Sequence, residues 1–386
     1  MDPSHPISSF HQIPPHPRIR GFSLSFVLSL RINIKRKWSD AVDADDDMVS
    51  IEGQRSGFRT ELTESAVRAL NSIFEQWDTQ AAPGLWNISG EPCSGSAINS
   101  TEFNITDNNA AIVCNCTYDN NATCHITKLY MDKNYFTGPL PAFIGNMSAL
   151  TVLSINVNSF SGPIPKELGN LTELTLLDIG SNNFSGTLPP ELGNLVKLER
   201  LYMDSSGLGG EIPSTFAKLT DMQILWASDN LFSGKIPDFI GNWTQLYDLQ
   251  FQGNSFEGPI PTSFSRLTSL YYLRISDIYD GRSSLDFIKN LKSLTELKLR
   301  NALITGIIPS DIGEYQSLQT LDLSFNTLAG ELPSSLFNLS SLTSLFLGNN
   351  SLSGHLPSQK SDQLQTMKPS PVGDHNIATC YLPAKF

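Results

Sequence analysis

From residue 126 onward the apolar and polar positions of this chain repeat every 24 residues. Leucine recurs at 150, 174, 198, 246, 270, 294, 318 and 342, with Met222 filling the one gap. Three residues after each start stands a column, from Leu129 in steps of 24 to Leu345, that is leucine without exception. Further columns hold Asn (134, 158, 182, 230, 254, 326, 350), Gly (138, 162, 186, 210, 234, 258, 306, 330, 354) and Pro (141, 165, 189, 213, 237, 261, 309, 333, 357). The unit reads L-x-x-L-x-L-x-x-N-x-F-x-G-x-I-P-x-x-I-G-N-L-x-x. A sustained period of this length is the mark of a stacked repeat.

Each column has a physical task. The L-x-L alternation puts apolar side chains on one face of a short strand. Parallel stacking of successive strands then gives a continuous sheet with an apolar inner face. Each buried Leu contributes roughly 1.5–3 kcal/mol, and a unit gains this only against a neighbour. The Asn at the strand end can bond backbone groups of adjacent turns, Gly permits the bend that follows, and Pro suits a return arc without ladder bonds. Ten units over 126–365 predict an α/β repeat solenoid, with a concave parallel sheet and irregular or 3-10 convex arcs.

One unit departs from the spelling. In "YYLRISDIYDGRSSLDFIKN", Ile278 replaces the Asn, Asp280 the Phe, Arg282 the Gly and Leu285 the Pro. Leu270, Leu273, Ile275, Ile288 and Leu291 keep the apolar places. The sheet should therefore pass through unbroken while the arc deviates, with a short helical turn in "SSLDFIKN".

The L-x-G-x-I-P spelling resembles the plant-type leucine-rich repeats of receptor-like kinase ectodomains and secreted plant inhibitors. Ahead of the repeats, "VRALNSIFEQWDT" (67–79), "WNISGEPCSG" (86–95) and "IVCNCTYDNNATCHITKL" (112–129) are similar to the N-terminal cap of one receptor-like Ser/Thr kinase subfamily. In that subfamily a malectin-like domain, a transmembrane helix and a kinase follow the repeats. The resemblance covers about 67–360 and implies a right-handed superhelix that recognises a ligand outside the cell. It also implies partners of two kinds: a peptide or cell-wall oligosaccharide ligand, and a co-receptor leucine-rich-repeat kinase. After residue 365 the pattern stops, with Thr366 and Pro369 where leucines are due. The organisation expected is an aberrant or disordered segment (1–60), a cysteine-containing cap (61–125), ten repeats (126–365) and a non-repeat tail (366–386). The expectation is a truncated or alternatively spliced ectodomain without malectin-like, membrane or kinase parts. A secreted inhibitor or decoy is the alternative function, and a non-functional fragment the third.

Composition points the same way. The 386 residues carry a formal charge of −12, which disfavours nucleic acid as a partner. Eleven N-x-[ST] sequons occur, at Asn87, Asn99, Asn104, Asn115, Asn121, Asn146, Asn170, Asn183, Asn242, Asn338 and Asn349. Of five cysteines, Cys93, Cys114, Cys116 and Cys124 cluster and Cys380 stands apart. The cluster reads as a disulfide framework; zinc is disfavoured because C-x-C lacks the usual spacing. Cys114–Cys116 would strain a tight loop, which leaves two pairings open. These features fit an extracellular or cell-surface setting. For export, the apolar run 21–30 has the length of a signal-peptide core, but basic residues follow it directly. No stretch is long and apolar enough to span a bilayer.

Catalysis finds no foothold. The six histidines are scattered, and phosphate-loop, dinucleotide, metalloprotease, nucleophile-elbow and kinase signatures are all missing. No cofactor and no metal are expected. Binding belongs on the concave face, whose central column follows each invariant leucine. Along it, aromatics (Tyr202, Trp226, Tyr247, Tyr271, Tyr272) pass through Gln250 into cations (Arg274, Lys298, Arg300). Such residues suit a ligand with an apolar or sugar-like part and an anionic end. The bland account is that strands favour aromatics and that Arg274 and Lys298 pair with Asp248 and Glu296.

Overall fold

The computed structural model describes residues 59–60, 93, 111–118, 120, 123–354, 368–369 and 380–381. All of these lie in the second of two compact units, Ser56–Phe386. The expectations for residues 1–58, for most of the cap and the tail, and for Asn87, Asn99, Asn104 and Asn121 fall outside the described residues.

The spine is one twelve-stranded sheet. Ten of its strands stack in parallel, one per repeat, from Thr123–Tyr130 and Val152–Ser154 through Ile224–Trp226, Asp248–Gln250, Tyr272–Arg274 and Glu296–Lys298 to Ser344–Phe346. Each invariant leucine sits opposite the next, from Leu129↔Leu153 to Leu321↔Leu345. The inner face is dry: the whole leucine column is at most 1% exposed. At the N-terminal end Ala111–Tyr118 pairs antiparallel with Thr123–Tyr130. Disulfides Cys93–Cys114 and Cys116–Cys124 close this cap, choosing one of the two pairings left open.

Behind the sheet the repeats stack by three further devices. Phenylalanines of neighbouring units lie ring over ring, with Phe160–Phe184 centroids 6.2 Å apart and nearly coplanar, as are Phe232 and Phe256. The asparagine ladder forms as anticipated. Asn158 Nδ2 donates to the carbonyls of Met131, Ile155 and Asn156, and its Oδ1 accepts from Phe136 N–H one unit back. Asn182, Asn230, Asn254, Asn326 and Asn350 repeat this. Third, each arc carries a short 3-10 helix after its proline, such as Lys166–Asn170 after Pro165. The helices pack so closely that a Cβ at Gly169 would lie 2.4 Å from the Glu191 carbonyl oxygen.

Two features go beyond the expected irregular arc. Short parallel strands, among them Ser159–Gly162 and Leu231–Lys235, form three lateral three-stranded sheets. Also, the residue at the tip of each turn after a concave strand adopts positive φ although it is rarely Gly: Val157, Ser181, Ser205, Asp229, Asp277, Asn301, Phe325 and Asn349 do so. A bulky residue there carries a real conformational cost.

The misspelled unit keeps its strand, with Leu273 between Leu249 and Leu297. Its arc is rebuilt. Ile278 and Phe287 enter the core, and the 3-10 helix Leu285–Ile288 is capped by Ser284, whose Oγ accepts from Asp286 N–H, in place of a preceding proline. Gly281 supplies the positive φ that Arg282 could not, and it lies directly against the Gly258 backbone. Ile278 and Ala302 remove two rungs of the asparagine ladder; backbone bonding of Ile278 N–H to the Asn301 carbonyl maintains the stack.

Candidate functional site: the concave face

Cross-strand spacing of about 4.8 Å brings equivalent residues of adjacent repeats into side-chain contact. Tyr202 and Trp226, paired in register, meet edge to face at 4.9 Å between centroids. The indole N–H of Trp226 donates to Asp248 Oδ2 at 2.8 Å on the next strand. Gln250 Nε2 donates to the same carboxylate at 3.1 Å, and Gln250 Oε1 accepts from Arg274 Nη1 at 3.3 Å. Arg274 Nε bonds Glu296, and Lys298 Nζ lies 3.1 Å from the same Glu296 oxygen. One network thus runs Tyr202–Trp226–Asp248–Gln250–Arg274–Glu296–Lys298 across five consecutive strands.

This changes the site expected from sequence in three respects. Gln250, expected to be exposed, is 8% exposed and acts as an internal bridge. The three cations are not equivalent: Glu296 holds both Arg274 and Lys298, whereas Arg300 forms no ion pair among the described residues. Arg300 instead lies over the Phe325 ring, 4.0 Å from its centroid. Tyr247 is half-buried; Tyr272, on the strand that carries Arg274, and Tyr271 just before it are exposed. Asp248 and Glu296, the partners expected for Arg274 and Lys298, stand in the column before the invariant leucine: Glu296 takes both cations, whereas Asp248 takes Trp226 and Gln250. Phe325 sits in the turn row, outside both columns, and periodicity gave no signal for it.

Toward the N-terminal end the same face is acidic. Asp178 Oδ2 accepts from Asn156 Nδ2 at 2.5 Å, and its Oδ1 accepts from Gly180 N–H at 3.2 Å. Burial nevertheless pushes its carboxyl up to about 6, reinforced by repulsion from Asp132 and Asp204. Burial likewise raises Asp132, Asp204 and Asp248, the last against the opposing effects of Trp226, Gln250 and Arg274. No group of His, Cys, Asp or Glu among the described residues could hold a metal ion.

The sequons Asn146, Asn170, Asn242 and Asn338 are exposed at the ends of the 3-10 helices, away from the strands. Asn183 is exposed on a lateral strand and Asn349 in the turn beside Phe325, while Asn115 is half-buried in the cap. Among the described residues no helix is long and apolar enough to cross a membrane.

Stacked parallel strands, asparagine ladder and 3-10 arcs make the fold a leucine-rich-repeat solenoid of the plant type. Comparison with known proteins agrees: the Leucine Rich Repeat family model matches residues 149–171, 173–195 and 317–339. The sequence relatives are plant receptor-like kinases. A probable LRR receptor-like serine/threonine-protein kinase of Arabidopsis thaliana is 49% identical over 88 residues, which are 22% of this chain and 8% of that protein. The matched stretch therefore spans less than a tenth of the relative's length. Among solved structures, the ectodomain of the Arabidopsis thaliana receptor kinase GASSHO1/SCHENGEN3, in complex with CASPARIAN STRIP INTEGRITY FACTOR 2, superposes with a TM-score of 0.56 and 35% identity. That likeness covers 58% of this chain and 27% of the other. The Arabidopsis HAESA ectodomain with an N-terminally extended IDA peptide hormone gives 0.53 and 29%, over 58% of this chain and 42% of that one.

Proposed function

We propose that this chain is an extracellular recognition module of the plant receptor-like-kinase type, which binds an extended peptide on its concave face. The observation that carries this reading is the network from Tyr202 to Lys298. It presents aromatic and cationic side chains in fixed positions on a rigid sheet, so that little ordering entropy is lost on binding. Similarity to ectodomains solved with a peptide hormone or a CASPARIAN STRIP INTEGRITY FACTOR supports a peptide over a cell-wall oligosaccharide. A co-receptor kinase as second partner, a malectin-type subfamily origin and a place at the cell surface complete the proposal. The test is a binding screen of a displayed twelve-residue peptide library against the secreted chain and against Trp226→Ala/Arg274→Ala. Recovered peptides should lose binding to the double variant while it remains folded by circular dichroism. Peptides that bind both proteins equally would refute the site.

A further inference from the structure

Within this proposed site one contact stands out. Glu296 is only 14% exposed at its side chain, and a single oxygen of its carboxylate meets both Arg274 and Lys298. Arg274 spends its Nε on Glu296 and its Nη1 on Gln250. The two central cations of the face are thus already occupied by an anion that belongs to the protein. Arg300, two residues after Lys298 and just past the strand end, lies over an aromatic ring, with a long 3.5 Å contact from Nη1 to Ser324 Oγ, and meets no carboxylate among the described residues. The cationic patch read from the columns is therefore offset in part by one carboxylate of its own.

We infer that Glu296 is a built-in competitor: it holds Arg274 Nε and Lys298 Nζ as a ligand carboxylate would, and an incoming acidic peptide must compete with it for them. The inference rests on the proposed peptide site and adds its specificity control. Three consequences follow from the geometry. First, a ligand without a carboxylate has to make do with the guanidinium N–H groups that Glu296 and Gln250 leave over, because Nε is already held by Glu296. Second, a ligand carboxylate must compete with a partner that is tethered and partly shielded from water, which sets a threshold against casual anions. Third, Arg300 is the first point of contact, since among the described residues it forms no ion pair.

The exchange moves charge without chemistry. When a peptide carboxylate takes Arg274, Glu296 keeps Lys298, and each anion retains a cation. Removing the competitor's charge should therefore strengthen acidic ligands, the reverse of what loss of an ordinary structural ion pair would do.

The test uses the full chain and two synthetic probes, a fluorescent hexaglutamate and its hexaglutamine counterpart, with Glu296→Gln, Glu296→Asp, Trp226→Ala and Arg274→Ala. Glu296→Gln should bind hexaglutamate about five- to tenfold tighter than the parent, the scale on which one competing, partly exposed ion pair acts. Glu296→Asp, which keeps the charge, should restore the parent affinity, and hexaglutamine should be indifferent to both changes. Arg274→Ala in the Glu296→Gln background should abolish the gain. Equal or weaker binding of hexaglutamate to Glu296→Gln, with binding that still depends on Arg274, would overturn the competitor role and leave the site standing. Binding insensitive to both Arg274→Ala and Trp226→Ala would overturn the site, and with it this inference. A gain that appears with a trigalacturonate probe and not with hexaglutamate would overturn the assignment to a peptide.

Discussion

Asp178 offers the sharpest physical prediction. Its carboxyl titrates near 6 in the folded protein against an ordinary value of 3.8, because burial and the neighbouring Asp132 and Asp204 penalise the charge. The folded state therefore holds a proton over a range where the unfolded chain has released it. The linkage has a definite sign: with the folded pKa raised, this group's contribution to stability is fully present below about pH 3.8 and is lost as pH rises through about 6. The shift of roughly 2 units corresponds to about 3 kcal/mol of cost at pH 7.5. Asp178→Asn removes the charge. Its amide oxygen can keep the Gly180 N–H, and Asn156 can turn its own amide to accept from the new donor. Allowing about 1 kcal/mol for imperfect bonding, the variant should gain about 1–3 kcal/mol at pH 7.5. At pH 4 it should gain nothing or lose slightly. Urea unfolding followed at pH 4, 6 and 7.5 measures this directly. A higher midpoint for Asp178→Asn at pH 7.5 that converges with the parent at pH 4 is the expected pattern. Parallel pH curves for the two proteins would refute the claim that Asp178 is a desolvated, repelled carboxylate.

Further predictions concern the scaffold. Asn230→Ala should destabilise by about 2–4 kcal/mol, since Asn230 Nδ2 serves the Met203, Ala227 and Ser228 carbonyls while its Oδ1 serves Ser206 and Gly207; chemical denaturation measures it. Gly169→Ala should cost about 1–3 kcal/mol, because the new Cβ would meet the Glu191 backbone at 2.4 Å; an unchanged unfolding midpoint would contradict the helix stacking. Phe325→Asn should be neutral or stabilising, because it relieves positive φ on a bulky exposed residue, while it weakens acidic-peptide binding by freeing the Arg300 side chain. In a secretory host, peptide mapping should find glycan on Asn146, Asn170, Asn242 and Asn338, whose side chains are exposed on the arcs.

Much of this was legible in the sequence because a 24-residue period leaves little freedom. An invariant leucine column implies one register, and Leu249, Leu273 and Leu297 lie opposite one another even through the misspelled unit. The asparagine ladder followed from the same arithmetic. The short lateral strands were harder to see, since segments such as Ser159–Gly162 have no strand propensity of their own and pair only because the stack aligns them. The inside of the site was harder still. Column position states which residues share a face, whereas pairing depends on side-chain reach between columns. The pairing of Arg274 and Lys298 with Glu296 was expected, but Asp248 drew Trp226 and Gln250 together from the adjacent column instead of a cation. Phe325 escaped because its importance comes from a turn conformation and from Arg300 above it, neither of which has a spelling.

The central claim is that the concave network recognises an extended peptide, and the direct measurement is the calorimetric affinity of a library-selected peptide for three proteins. These are the parent, Trp226→Ala/Arg274→Ala on the concave face, and Lys197→Ala/Glu173→Ala, which removes an exposed ion pair away from the network. The account predicts loss of at least about a hundredfold, near 3 kcal/mol, for the concave variant and no change for the other, with both folded. Equal affinity for all three proteins would contradict it.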